Sequence, residues 1–88
     1  MSPSDPALTE KARNVKDAHL HWLLQRANVV GVGVGYRWRH GIRTDTVAIV
    51  VMVKKKVPAS QLDPRDILPS ELDGIPLDIQ EVGEISIM

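Results

Sequence analysis

The apolar positions of this chain change period along its length. Leu8, Ala12, Val15, Ala18, Trp22 and Leu23 fall on one stripe at about 100° per residue, with Leu20, Leu24 and Ala27 widening it, which predicts a helix over about 6–26. Asp5 before Pro6 has the form of an N-cap followed by proline at the first helical position, and Asn28 closes the segment. His19 lies near the middle of the stripe, as a helix residue partly covered by what packs there. From Val29 the period becomes two: Val30, Val32, Val34, Tyr36 and Trp38 take one side of a strand, and Gly31, Gly33, Gly35, Arg37 and Arg39 the other. Val47–Val53 is then apolar throughout, so Val47, Ile49, Val51 and Val53 line one face while Ala48, Val50 and Met52 line the opposite one. Both faces of that strand require cover. The polar loop His40–Thr44 between the two runs predicts an antiparallel hairpin over 29–56, with strands 29–39 and 45–56.

Beyond Val57 the pattern breaks. Pro58, Pro64, Pro69 and Pro76 punctuate the chain and leave room only for short helical turns, at about 59–62 and 70–72, within a proline-rich segment 57–74. Ile75, Leu77 and Ile79 alternate with Pro76, Asp78 and Gln80, which predicts a strand over 75–82 with proline near its start or at a sheet edge. Ile85 and Ile87 alternate again around Ser86, a candidate tail strand over 84–88 that adds to this sheet or to another chain's. The expected fold is a single α+β domain over residues 1–88. One long N-terminal helix packs on a small antiparallel sheet of three to four strands, an incomplete ferredoxin-like sandwich.

Length sharpens this picture. A chain of 88 residues is near the size at which burial is incomplete, so one helix covers one sheet face and the second face needs another layer, from this chain or from a partner. Gly31, Gly33 and Gly35 carry no side chains, a sign that another backbone or layer approaches closely there. With no Phe and 3% aromatic residues, aliphatic side chains must fill the core. No cysteine is present, which excludes a thiolate nucleophile, a disulfide framework and a cysteine metal site. The start of the chain lacks the charged and apolar blocks of a secretory signal, and the longest apolar run is far short of a membrane span, so a soluble cytoplasmic chain is expected.

Charge is balanced in total but not along the chain. Ten Lys/Arg stand against four acids up to Lys56, and one against seven from Val57 onward. The simplest consequence is that the acidic half folds beside the basic hairpin; the alternative is head-to-tail attraction between subunits.

Motifs that carry chemistry are few. Gly31-Val32-Gly33-Val34-Gly35 continues into a second strand rather than a helix, so it fits neither a dinucleotide fingerprint nor a phosphate loop. His19 and His21 point about 200° apart on a helix and cannot clasp one metal; Asp17 and His21 have the i, i+4 spacing of a helix-stabilising contact. The serines occupy termini and turns, and His40 has no partner identifiable in sequence. Arg37, Arg39, Arg43 and Lys54–Lys56, with Tyr36 and Trp38, resemble a nucleic-acid surface, but the aromatics share the valine face and the net charge is zero. The lysines instead guard the end of an aggregation-prone strand. No catalytic, metal or cofactor residue is assigned.

Val30-Gly31-Val32-Gly33, Thr46-Val47-Ala48-Ile49-Val50, Lys54–Lys56 with Pro58 and Leu62, Leu68-Pro69, and Asp73-Gly74-Ile75-Pro76-Leu77-Asp78-Ile79 with Glu81 and Gly83 follow one another in an order that resembles a known module. It is similar to the small domain preceding the catalytic domain in a group of bacterial trypsin-like serine peptidases, over about residues 28–83. The triad of that family would lie beyond Gly83, where five residues remain, so the resemblance implies a free-standing accessory domain without its enzyme. The expected role is a non-catalytic module that self-assembles as a homo-oligomer or docks a protein partner. Its expected interface is the sheet face of Gly31, Gly33, Gly35, Ala48, Val50 and Met52 together with Ile85 and Ile87. The resemblance also implies a second role, a pro-domain-like inhibitor or folding assistant of a separate serine peptidase.

Overall fold

A computed structural model describes residues 6–83; the N-cap expected at Asp5 and the tail strand expected at 84–88 lie outside the described residues. Helix α1 runs Pro6–Leu24, strand β1 Val29–Arg39, strand β2 Ile42–Val53, a two-residue strand β3 Glu71–Leu72 and strand β4 Ile75–Glu81. Two short 3-10 turns, Ala59–Gln61 and Pro64–Asp66, lie in the segment between β2 and β3. The architecture is the expected α+β arrangement, one helix on one sheet of four strands in the order β1-β2-β4-β3.

The helix buries Ala12, Val15 and Leu23 against Val47, Ile49, Val51 and Val53 of β2 and Ile75 and Leu77 of β4, with Val32, Val34 and Tyr36 packed at the margin. The buried stripe is narrower than expected: Leu8 and Trp22 stay exposed, and Arg26 stacks on the Trp22 ring at 4.8 Å. His19 is half-covered on that stripe and its Nε2 lies 3.1 Å from Asp73 Oδ2. Two more departures follow from chain geometry. The hairpin loop is not 40–44 but His40–Gly41 alone, both at positive φ (52° and 77°), the conformation of a type I′ turn, so β2 begins at Ile42. The sheet is mixed rather than wholly antiparallel, because β4 runs parallel to β2, with Ile49 opposite Leu77 and Val53 opposite Glu81. A parallel neighbour needs a long crossover, which the proline-rich segment provides. The stretch expected as a helical turn at 70–72 is β3, hairpinned to β4 through Asp73–Gly74, both again at positive φ (49° and 84°).

The crossover is fastened at its start by Asn28. Its backbone sits at φ 75°, its carbonyl accepts the Lys54 N–H at 2.9 Å, and its side-chain amide both donates to the Lys55 carbonyl and accepts the Lys55 N–H. Asn28→Ala is expected to cost about 2 kcal/mol, since it removes two hydrogen bonds and leaves an alanine in the left-handed region. Asn28→Gly keeps that conformation at no strain and is expected to cost about 1 kcal/mol. Urea unfolding of both variants measures the difference; equal losses would assign the whole effect to the hydrogen bonds.

Candidate functional site

The residues expected at an interface all belong to the reverse face of the sheet, opposite α1, apart from Ile85 and Ile87, which lie outside the described residues. The structure pairs Gly31 with Met52, Gly33 with Val50 and Gly35 with Ala48 across the β1/β2 ladder, so these six residues form one patch. Their accessibility differs. Ala48 is fully buried, while Val50, Met52 and the three glycines are half-buried. What presses on the glycines is in part the chain's own neighbouring strand: a Cβ on Gly31 would meet Met52 Cε at 2.9 Å, one on Gly35 would meet Val50 Cγ2 at 3.4 Å, and one on Gly33 would meet nothing within 4 Å.

The hairpin itself reaches across part of the reverse face. Register between β1 and β2 shifts after Tyr36, where Arg37 alone spans the gap opposite residues 44–46. Thr44 fills it, its Oγ1 donating to the Arg37 carbonyl at 2.6 Å and accepting the Thr46 N–H at 3.2 Å. Beyond this break the hairpin tip bends over the reverse face. Although β2 separates β1 from β4, the Trp38 N–H donates to Asp78 Oδ2 at 3.0 Å, and Trp38, His40 and Gly41 share a shallow concavity with Asp78, Gln80 and Glu81. Asp78 is buried and also accepts from Gln80 Nε2 at 2.9 Å, so its carboxylate has two donors in place of water. Of the expected face, Ala48 is closed off, and a strip of half-buried residues, Val50, Met52 and the three glycines, keeps accessible surface.

That strip borders the long free edge of the sheet. Among the described residues β1 is the outermost strand and bonds to β2 on one side only, so alternate N–H and C=O groups along its other side have no strand partner there. Its regular stretch lies between two register breaks, after Val29 and after Tyr36. Within it stand only valines, glycines and one tyrosine, without the lysine or proline that ordinarily blunts an edge. The opposite edge is different: β3 covers β4 for two residues and carries Glu71 at its start.

The histidines do not converge. His21 Nε2 is 3.0 Å from Gln25 Nε2 and Asp17 pairs with Lys16 at 3.0 Å, so the Asp17/His21 contact is not made; His40 is in the turn. Arg43 lies over the Tyr36 ring at 4.5 Å, which commits both residues of the basic and aromatic group to each other. Among the described residues no three His, Asp or Glu side chains gather as a metal site would require, and no helix is long and apolar enough to cross a membrane.

A concavity that sequence periodicity did not reveal lies between the end of α1, the ends of β2 and β4, and the crossover. It encloses about 310 Å³ and is walled by Val53, Val57, Leu62, Leu68 and Ile79. Asp66 stands on its wall with Oδ1 accepting the Ala27 N–H at 3.0 Å, and Lys55 and Lys56 line its exposed side. It was hidden because its walls come from segments distant in sequence, one of them without a repeating pattern.

The model of one protein family, described as the NARROW LEAF 1 N-terminal domain, matches residues 13–82. The chain belongs to that family. This corrects the resemblance to the accessory domain of bacterial trypsin-like serine peptidases. The motifs that suggested it have local causes here. Asp73-Gly74 is what a type I′ turn needs, Lys54–Lys56 follow the end of β2, and the Val/Gly alternation belongs to an edge strand. The NARROW LEAF 1 N-terminal domain match covers α1 from Arg13 through the end of β4, and so includes the β1 edge, Asp78 and the walls of the cavity. Comparison with curated proteins gives no match.

Proposed function

We propose that this domain is a non-catalytic association module and that its occupant is a second copy of itself, joined edge to edge through β1. The observation that carries the proposal is the edge, free among the described residues, between the two register breaks of the outermost strand. Antiparallel pairing about a twofold axis at Gly33 sets glycine against glycine at the centre and Val32 against Val34 beside it. Charge favours this arrangement over a parallel one. Arg37 and Arg39 stand at one end of β1, so parallel strands would stack them on their own copies, whereas antiparallel strands separate them. They then come level with the Ala27–Val29 segment of the second copy, where Asp66 already holds the Ala27 N–H. The two sheets become one continuous eight-stranded sheet whose centre has no edge.

Multi-angle light scattering on a concentration series tests this reading. A mass doubling with rising concentration is expected, and it should weaken as salt rises, because the arginine–aspartate contacts lie at the rim. A chain that stays monomeric at millimolar concentration would refute it.

A further inference from the structure

We infer that the cavity between the crossover and the ends of β2 and β4 is a binding site for an aliphatic carboxylate of medium chain length. Three observations converge on that chemistry. The cavity encloses about 310 Å³, at the lower end of the range of small-molecule pockets, which suits a single unbranched chain rather than a ring system. Its walls are aliphatic, Val57, Leu62, Leu68 and Ile79 among them, and none carries a group that would reward a polar ligand body. Its exposed side is lined by Lys55 and Lys56, neither of which has an acid partner among the described residues.

The one acid on the wall does not cancel them. Asp66 Oδ1 is committed to the Ala27 N–H, and against its single charge stand two ammonium groups. Asn28, which also lines the cavity, spends its side-chain amide on the backbone of Lys55 and so fixes the strand end that carries both lysines. An alkyl chain seated among the aliphatic walls, with its carboxylate at the lysines, gains burial at one end and charge pairing at the other without stranding a polar group. A neutral chain gains only the first, and a cationic chain meets repulsion.

Isothermal titration of the full chain with decanoate, decanol and decyltrimethylammonium, each below its micelle concentration, separates these cases. Decanoate is expected to bind about fivefold more tightly than decanol, with the ammonium weakest. The double variant Lys55→Ala/Lys56→Ala is expected to remove the preference for decanoate over decanol while leaving decanol binding unchanged. Leu62→Trp, which fills the cavity, is expected to abolish binding of all three. Amide shifts on decanoate addition should centre on Val57, Leu68 and Ile79. Absence of decanoate binding, equal affinity for decanoate and decanol, or shifts centred elsewhere would each overturn the assignment.

Discussion

Gly33→Lys is expected to abolish self-association while leaving the folded monomer intact. A side chain at position 33 would meet nothing within 4 Å in the monomer, so the substitution adds no clash there and should shift monomer stability by no more than about 0.5 kcal/mol. In the proposed dimer the two copies of position 33 face each other across the twofold axis, with Cβ atoms about 5 Å apart. Two lysines at that spacing repel, and repulsion of about 3 kcal/mol raises the dissociation constant by more than a hundredfold. Light scattering reads the mass, and urea unfolding of the monomer provides the control. The absence of cysteine from the chain permits a sharper companion experiment. Gly33→Cys should form an intermolecular disulfide under mild oxidation, because the pair lies close to disulfide geometry, whereas Thr46→Cys on the exposed hairpin should not. A dimer that resists crosslinking at position 33 would retain the association role and discard this register. A glycine-rich strand specifies register weakly, so that outcome is physically distinct from failure to associate.

How far the sequence exposes this architecture depends on whether each element is governed by local or distant contacts. The helix and the strands containing Val32, Ile49 and Leu77 announce themselves by period, because each buries one face against the same core. The turn at His40–Gly41 is obscured by the residues after it: Ile42–Thr44 read as loop because no core face organises them, yet they form the start of β2, up to the bulge. Asp73–Gly74 carries a strong hairpin signal, but with a two-residue strand on one side no alternation accompanies it. The parallel placement of β4 has no local signature, since it is decided by where the crossover returns the chain. The reverse face shows the same division. Alternation alone puts Gly31, Gly33, Gly35, Ala48, Val50 and Met52 on one side of the sheet, but how much of that side remains open is set by a bend of the hairpin tip and one carboxylate on a distant strand.

The unequal charge of the two halves also acquires a specific cause. Three carboxylates of the acidic half each accept a main-chain N–H from the basic half: Asp66 from Ala27 at 3.0 Å, Asp78 from Trp38 at 3.0 Å and Glu81 from Lys56 at 2.7 Å. Beyond the β2–β4 ladder and the shared core, the halves are thus tied by carboxylate-to-backbone bonds. Such bonds fix a strand end in one position, which a pair of long exposed side chains does poorly.

Asp78 is the member of this set whose loss should matter most. Its carboxylate is buried and serves two donors, one of them a backbone N–H that has no replacement once the hairpin tip is folded down. Asp78→Ala is expected to cost about 3 kcal/mol, combining the loss of hydrogen bonds to a charged acceptor with a stranded Trp38 N–H. Asp78→Asn keeps an oxygen that accepts from Trp38 and should cost about 1 kcal/mol. The structural consequence is as specific as the energetic one. With the acceptor gone, the tip should lift from the reverse face, so the Trp38 amide should lose hydrogen-exchange protection while amides of the β2–β4 ladder keep theirs. Release of the tip would also open the concavity that Trp38, His40 and Gly41 share with Asp78, Gln80 and Glu81. Uniform loss of protection across the sheet would show instead that Asp78 supports the whole fold, and an unchanged Trp38 amide would show that the bend at the bulge holds the tip by itself.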